Sequence, residues 1–260
     1  TDSYWDEWLL KPLSHDETTE KLGCLAKPSN HSRRSGVVST GSHELDSKMG
    51  GGIPLGSLTL IEGTSGAGKS VLAQQLMWGS LRGGFYLTSF TTENGVKSLV
   101  QQMRSLSLEV IDFVLLHHLR IIPVEVSSLG TDAPTALLRA MKAESNNDII
   151  IIDSLTALIN GCTDPQVLAF FEGAKRICAN GTTVLVVLHS YGVSQDLLTR
   201  LRSLCDAHLR LSTEEMGQKL VHMLEVTKVR GADRTTGNIV SFDVEPGWGM
   251  RLIPVNKVKG

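Results

Sequence analysis

One eight-residue segment constrains this chain more than any other feature of its sequence. Residues 63–70 read Gly-Thr-Ser-Gly-Ala-Gly-Lys-Ser, which fits the phosphate-binding pattern GxxxxGK[ST]. The segment follows an apolar stretch at 58–61 that is predicted to be a strand, and it opens a predicted helix over 69–82. Such a loop turns backbone N–H groups toward phosphate oxygens, and the helix N-terminus adds partial positive charge. An ordinary glycine-rich turn is disfavoured, because this match arises by chance in about one chain in a hundred.

The motif gives each of its side chains a role. Lys69 is expected to reach the β- and γ-phosphates of a nucleotide and is also a candidate catalytic residue, while Ser70 is expected to ligate Mg²⁺. The residues expected to contact the nucleotide are Gly63, Thr64, Ser65, Gly66, Ala67, Gly68, Lys69, Ser70 and Val71.

Composition excludes several protein classes. Of 260 residues, 41% are hydrophobic and 20% are charged, which is typical of a globular protein. A formal net charge of −2 disfavours binding to nucleic acid through many phosphate contacts. No apolar run approaches the roughly 18 residues that span a bilayer, and the acidic, aromatic N-terminus is unlike a secretory signal. The four cysteines, Cys24, Cys162, Cys178 and Cys205, form no CxxC pair, so the sequence favours a reducing, cytoplasmic setting.

From residue 36 onward, strand-like runs alternate with helix-like segments. The predicted strands are 57–62, 85–91, 119–126, 149–153 and 183–188, and the predicted helices are 69–82, 96–106, 135–144, 166–179 and 196–204. This alternation predicts an α/β fold with a mainly parallel, twisted sheet and helices on both faces. Only strand-like segments follow, at 207–212, 219–228, 239–245 and 250–255, with a first turn at 215–217. We expect them to be antiparallel strands that extend one edge of the sheet.

The sequence divides into an N-terminal tail over residues 1–36 and one nucleotide-binding domain over residues 37–260. The tail is polar and shows no sustained hydrophobic period. Tyr4, Trp5, Trp8 and Leu9 are spaced to share one face of a short helix. Two interpretations stay open: the tail docks on a partner, or it folds back on its own domain or stays mobile.

A second segment points to a metal ligand. Residues 148–154 read Asp-Ile-Ile-Ile-Ile-Asp-Ser, the form of a buried strand that ends in a carboxylate. At that position Asp153 is expected to lie beside the phosphate-loop strand and to hold Mg²⁺ through water. Many parallel strands end in an Asp that merely caps the next helix, but the preceding phosphate loop favours the metal role.

Hydrolysis of a nucleotide also requires groups that activate water and sense the γ-phosphate. Glu93 follows the predicted strand at 85–91 and is a candidate general base, with a helix cap as the alternative. His189, or its neighbour Ser190, ends another strand and is a candidate sensor, with a satisfied loop histidine as the alternative.

Two basic residues close a strand near the C-terminus. Lys228 and Arg230 are two positions apart and therefore lie on the same face of the strand. If copies of the chain form a ring, this pair can reach a neighbour's nucleotide in the manner of an arginine finger. The alternative is two solvated charges before a turn.

Together these segments resemble the KaiC-like group of RecA-superfamily ATPases, and most of all its FlaH family, which binds ATP in the archaellum motor. The matching segments are 38–41, 44–46, 50–54, 62–63, 68–75, 91–94, 96–98 and 228–232. The resemblance covers residue 36 to the end and implies a RecA-like core that binds ATP and Mg²⁺ and forms hexameric rings. It also implies slow or regulatory hydrolysis and a place beside a motor ATPase and a membrane platform protein, at the inner face of the membrane.

Two other functions share this fold. A DNA-dependent recombinase is disfavoured, because after Ser190 only Arg200 and Arg202 are nearby bases and no aromatic platform follows. A KaiC-like autokinase is weakened because Thr92 precedes a single glutamate where KaiC proteins carry two; hydroxyls on Ser89, Thr91 or Thr92 are its candidate phosphate acceptors.

Overall fold

The computed structural model describes residues 36–128, 130–216, 219–231 and 238–253. The predicted tail and its aromatic face lie outside these residues, apart from Gly36. No helix within the described ranges is long and apolar enough to cross a membrane.

Helices and strands alternate through the first two thirds of the described chain. The helices are α1 (His43–Lys48), α2 (Lys69–Arg82), α3 (Val96–Ser105), α4 (Ile111–Leu115), α5 (Ala133–Ala143), α6 (Asp164–Ala179) and α7 (Gln195–Leu204). The strands are β1 (Val37–Val38), β2 (Ile53–Pro54), β3 (Leu58–Gly63), β4 (Leu87–Thr91), β5 (Leu119–Pro123), β6 (Ile149–Asp153), β7 (Thr183–His189), β8 (Ala207–Met216), β9 (Lys219–Val229), β10 (Ile239–Glu245) and β11 (Gly249–Ile253).

The described strands form one nine-stranded sheet and a small separate pair, β1 with β2. The order across the large sheet is β11-β10-β9-β8-β3-β7-β6-β4-β5. Pairs from β8 to β5 are parallel, and β8-β9, β9-β10 and β10-β11 are antiparallel. The predicted α/β fold with antiparallel C-terminal edge strands is confirmed.

The strand order corrects one prediction about the site. Asp153 ends β6, which was expected to neighbour the phosphate-loop strand β3. Instead β7 lies between them and pairs in parallel with both. Strand adjacency is a long-range property that spacing along the chain does not determine, so the carboxylate lies one strand farther from β3 than predicted.

Two of the described strands end three or four residues away from the predicted position. Strand β5 ends at Pro123 rather than Val126. Its last ladder hydrogen bond runs from the N–H of Val124 to the carbonyl oxygen of Thr91, where the partner strand β4 ends, and a 3₁₀ turn begins at Val126. Strand β8 continues through Glu215 and Met216, where a turn was predicted, since these residues pair with Leu220 and Lys219 of β9.

The core lies on both faces of the sheet. In β6, Ile149 and Ile151 pack with one group of buried side chains, and Ile150 and Ile152 pack with the other. Helices α2 and α3 cover the first face, and α5, α6 and α7 cover the second. Continuous apolar strands are therefore buried on both sides, as parallel sheets require, and the loops at the carboxyl ends of the strands remain available for a site.

Candidate functional site

The phosphate loop connects β3 to α2 in a conformation that depends on glycine. Gly68 is the N-cap residue of α2 with a φ of 90°, and a Cβ atom there would lie 3.0 Å from Cζ of Phe242. At Gly63 a Cβ atom would lie 2.2 Å from the carbonyl oxygen of Leu211. Neither position accepts a larger residue without displacing its neighbour. The loop is therefore held between α2 and the C-terminal strands.

Lys69 is buried at the start of α2. Its Nζ donates a hydrogen bond of 2.6 Å to the carbonyl oxygen of Thr64, at the other end of the loop. Burial lowers the pKa of Lys69, and the negative charges of Asp153 and Glu93 oppose that shift. The ammonium group of Lys69 thus lies inside the loop. A bound anion would take the place of the Thr64 carbonyl oxygen as its hydrogen-bond acceptor.

Ser70 and Asp153 are in contact although β7 lies between β3, which precedes the loop of Ser70, and β6, which Asp153 ends. The Ser70 hydroxyl donates a hydrogen bond of 3.1 Å to Oδ1 of Asp153. The pKa of Asp153 is raised to about 6, mainly by burial. The charge of Glu93 also raises it, whereas the hydrogen bond from Ser70 and the charge of Lys69 oppose the rise. Near neutral pH the carboxylate is mostly ionised, so a proton competes with a cation at this position only in mildly acidic solution.

Glu93 lies beyond the end of β4 and points toward β6 and β7. Its Oε1 accepts a hydrogen bond of 3.4 Å from Ser154 Oγ and lies 3.7 Å from Nε2 of His189. Gly95 is the N-cap residue of α3, and no side chain caps that helix. The alternative that Glu93 is a helix cap is therefore wrong, and half of its side chain remains exposed.

His189 ends β7 beside Glu93. Its backbone N–H donates to Thr156 Oγ1 at 2.8 Å, which fixes the end of the strand. Burial lowers the pKa of His189, and the charge of Lys69 lowers it further, against the opposing effect of Glu93. The imidazole is accordingly neutral at physiological pH and can both donate and accept a hydrogen bond.

Lys69, Ser70, Glu93 and His189 line one cleft of about 360 Å³, and Asp153 lies behind Ser70. The residues that line it are Ser65, Gly66, Gly68, Lys69, Ser70, Val71, Glu93, His189, His222 and Val244. The structure thus gathers most of the phosphate loop with Glu93 and His189, as expected from the sequence. It adds His222 from β9 and Val244 from β10, which carried no local signal because only the folding of the C-terminal strands brings them to the loop.

The structure does not bring Lys228 and Arg230 to this cleft. Lys228 Nζ donates to the carbonyl oxygen of Cys205 at 2.6 Å, and Arg230 Nη1 lies 3.6 Å from Oδ1 of Asp206. The N–H of Asp206 in turn bonds to the carbonyl oxygen of Leu58, at the start of β3. Both basic side chains therefore lie at the opposite end of the sheet from the phosphate loop of the same chain.

A buried ionic group lies directly beneath the phosphate loop and was missed from the sequence. Glu62 precedes Gly63, is fully buried, and accepts a hydrogen bond of 3.0 Å from Nε of Arg202. Nε2 of His208 lies 3.0 Å from the same carboxylate oxygen. Burial raises the pKa of Glu62, but His208 and Arg202 outweigh that effect and bring its pKa below the ordinary value. The carboxylate is thus held ionised inside the protein.

Comparison with known proteins identifies the family. A sequence model described as "ATPase: KaiC" matches residues 38–256. The chain belongs to the KaiC ATPase family. The circadian clock oscillator protein KaiC of Acaryochloris marina is 25% identical over 199 residues, which cover 75% of this chain and 38% of that protein.

Several FlaH proteins are similar to this chain over most of its length. "Archaeal flagellar ATP-binding protein FlaH" from Sulfolobus acidocaldarius is 29% identical over 226 residues, covering 85% of this chain and 98% of that protein. The protein of the same name from Methanocaldococcus jannaschii is 30% identical over 216 residues, covering 80% and 91%. The crystal structure of flagellar accessory protein FlaH from M. jannaschii has a TM-score of 0.74 at 28% identity and covers 82% of this chain and 96% of that chain. The predicted FlaH resemblance and the RecA-like, KaiC-like fold class are confirmed.

Membership in an ATPase family implies nucleotide binding, and the donor set of the cleft fits Mg²⁺ with a nucleotide. Among the residues that the structure describes, no group of three or more His, Cys, Asp and Glu side chains is arranged to hold a metal ion. One hydroxyl and one carboxylate, as at Ser70 and Asp153, suit Mg²⁺, which takes its other ligands from phosphates and water.

Proposed function

We propose that this chain is an ATP- and Mg²⁺-binding subunit of an archaellum motor, in which the nucleotide state controls ring assembly and affinity for partner proteins. One observation carries the proposal. A complete phosphate loop, with Lys69, Ser70 and Asp153 in contact around it, lies in a chain that is similar to FlaH proteins over 80–85% of its length. Ligands that bind one conformation or assembly state better than another shift the population toward it.

In the proposed complex, the loop N–H groups and Lys69 hold the phosphates, and Ser70 and Asp153 hold Mg²⁺. Bound Mg²⁺ supplies charge neutralisation at the phosphates. Lys69 leaves the Thr64 carbonyl for a phosphate oxygen, exchanging a neutral partner for a charged one. His189, neutral and 3.7 Å from Glu93, is suited to sense a γ-phosphate by hydrogen bonding.

Hydrolysis is proposed to be slow. Glu93 is the side chain suited to accept a proton from water, but it is half exposed. An exposed base remains solvated and weakly positioned, which limits its contribution to catalysis.

The change Glu93→Gln is expected to leave ATP affinity within about threefold of wild type and to lower ATP turnover at least tenfold, because the amide cannot accept the proton. Turnover is measured by phosphate release and affinity by calorimetry. Glu172→Gln, an exposed position on α6, is the matched control and is expected to change neither. Equal turnover in wild type and Glu93→Gln would remove Glu93 from the role of base.

Lys228 and Arg230 are proposed to act on the nucleotide of a neighbouring copy. Lys228 lies near the end of β9 and Arg230 directly follows that strand, at the end of the sheet opposite the phosphate loop, and the Arg230 side chain is largely exposed. A cation supplied from a neighbour neutralises γ-phosphate charge, so nucleotide binding and ring formation reinforce each other. This arrangement accounts for two basic residues that have no role at the cleft of their own chain.

An autokinase function finds less support in the geometry. Ser89 and Thr91 are buried, and Thr92 Oγ1 donates to the carbonyl oxygen of Ser154 at 3.1 Å. Hydroxyl groups in these positions are poorly accessible to the γ-phosphate of an ATP molecule. Incubation with γ-labelled ATP and mass spectrometry is expected to find no phosphorylated peptide from residues 89–92.

The motor role is tested by affinity purification of the tagged full-length chain from the organism that encodes it, with Mg-ATP in the buffer. We expect the archaellum motor ATPase and the membrane platform protein in the eluate, and less of both with the Lys69→Ala variant. Recovery of neither protein, or equal recovery with both forms, contradicts the proposal.

A further inference from the structure

His222 lies beside the phosphate loop but belongs to a strand that follows it by more than 150 positions. Its Nε2 lies 3.2 Å from the carbonyl oxygen of Gly66, at the middle of the loop. A carbonyl oxygen only accepts hydrogen bonds, so Nε2 carries the hydrogen and donates it. The ring of His222 therefore holds the loop from outside through its backbone.

Two strands fix the position of this ring. His222 of β9 and Phe242 of β10 are cross-strand partners, and their rings stack with centroids 5.3 Å apart and an interplanar angle of 27°. Phe242 is fully buried and also packs against Gly68. The His222 donor is consequently anchored to the sheet and has little freedom to leave the loop.

The hydrogen bond completes a pattern among the loop carbonyls. Thr64 O accepts from Lys69 Nζ, and Gly68 O accepts from the N–H of Leu72 in α2. Gly66 O accepts from His222. Each of these three carbonyl oxygens therefore has a hydrogen-bond donor within the protein.

Gly66 has no side chain that could hold its peptide group in place. Its φ is 73°, a conformation that glycine adopts readily, and a Cβ atom there would meet nothing within 4 Å. The peptide between Gly66 and Ala67 is held by two hydrogen bonds, one from His222 to its carbonyl oxygen and a longer one of 3.4 Å from its N–H to the carbonyl oxygen of Thr64. If the peptide between Gly66 and Ala67 rotated, the carbonyl oxygen would face the phosphates and repel them.

We propose that His222 is a positioning residue, whose Nε2–H holds the Gly66 carbonyl away from the phosphates and keeps the loop ready to bind them. The inference rests on the proposed nucleotide site and adds a residue that the phosphate-loop motif does not contain. It requires the Nε2–H tautomer, with Nδ1 as the bare nitrogen. Nδ1 is buried and has no hydrogen-bond partner among the described residues, which agrees with a nitrogen that carries no hydrogen.

The experiment compares full-length wild type, His222→Leu and His222→Gln. Leucine keeps apolar bulk without a donor, whereas the glutamine amide carries a donor at about the reach of Nε2. Binding of Mg-ATP, Mg-GTP and inorganic tripolyphosphate is measured by calorimetry, and thermal unfolding without ligand reports stability. His222→Leu is expected to weaken all three ligands by the same factor, about five- to tenfold, and His222→Gln to restore affinity to within twofold of wild type.

Several results would overturn the inference. Wild-type affinity in His222→Leu means that the donor is dispensable. Loss of ATP affinity with unchanged tripolyphosphate affinity means that the ring contacts the base or ribose instead of the loop. Equal losses in the leucine and glutamine variants mean that ring packing, not hydrogen donation, matters.

A measurement on the wild type keeps the inference separable from the proposed function. The ¹⁵N chemical shifts of His222 in nucleotide-free protein are expected to report the Nε2–H tautomer, and an Nδ1–H tautomer overturns the inference even if the leucine variant does not fold. If wild type binds none of the three ligands, the proposed function fails. The observed tautomer then still shows whether His222 donates a hydrogen bond to the carbonyl oxygen of Gly66.

Discussion

Lys69→Ala is expected to weaken Mg-ATP binding at least a hundredfold while the fold survives. The ammonium group is buried within the phosphate loop, and its present partner there is the carbonyl oxygen of Thr64. Removing a desolvated cation that would pair with phosphate costs about 3 kcal/mol or more of binding free energy. The loss of stability without nucleotide is smaller, about 1 kcal/mol, because only one hydrogen bond to a carbonyl disappears.

The matched control is Lys97→Ala, which removes the same charge from an exposed position on α3. Calorimetry with Mg-ATP measures the affinity of both variants, and thermal unfolding measures their stability. We expect wild-type affinity for Lys97→Ala and similar unfolding temperatures for all forms. Affinity within threefold of wild type in Lys69→Ala would mean that the loop is not the phosphate site.

The parts of this fold that could be predicted from sequence are those set by local pattern. The glycines and hydroxyls of the loop predicted that helix α2 begins at Lys69, because the loop has to end where the helix begins; the predicted end at Arg82 is also confirmed. The four isoleucines before Asp153 predicted β6 in the same way, since a short apolar run bounded by polar residues fits a strand buried on both faces.

The parts that escaped prediction depend on contacts between distant segments. The place of β7 between β3 and β6 follows from strand pairing that leaves no periodic trace in either strand. His222 and Val244 look like ordinary residues of antiparallel strands, and only the docking of β9 and β10 against Gly66 and Gly68 brings them to the cleft. Glu62 escaped for the same reason, because its partners are more than 130 positions away.

Arg202→Met is expected to destabilise the protein by about 3 kcal/mol at pH 7. The change leaves the fully buried carboxylate of Glu62 with only His208 beside it, and an unpaired buried charge is costly. Equilibrium urea unfolding measures the loss. Arg200→Met is the matched control on the exposed side of the same helix, and its effect is expected to stay within about 0.5 kcal/mol.

The pH dependence distinguishes a lost ion pair from lost packing at Arg202. In wild type the pKa of Glu62 is lowered, so its contribution to stability is present above the ordinary carboxyl pKa and is lost as pH falls through the lowered value. Without Arg202, only His208 opposes the effect of burial, so the pKa of Glu62 is higher in the variant than in wild type and the carboxyl is protonated at a higher pH. The cost of Arg202→Met should therefore shrink between pH 7 and pH 5, and the added change Glu62→Gln should recover part of the stability. A cost that is the same at both pH values, with no recovery in the double variant, would mean that Arg202 stabilises α7 by packing alone and that the charge beneath the phosphate loop does not depend on it.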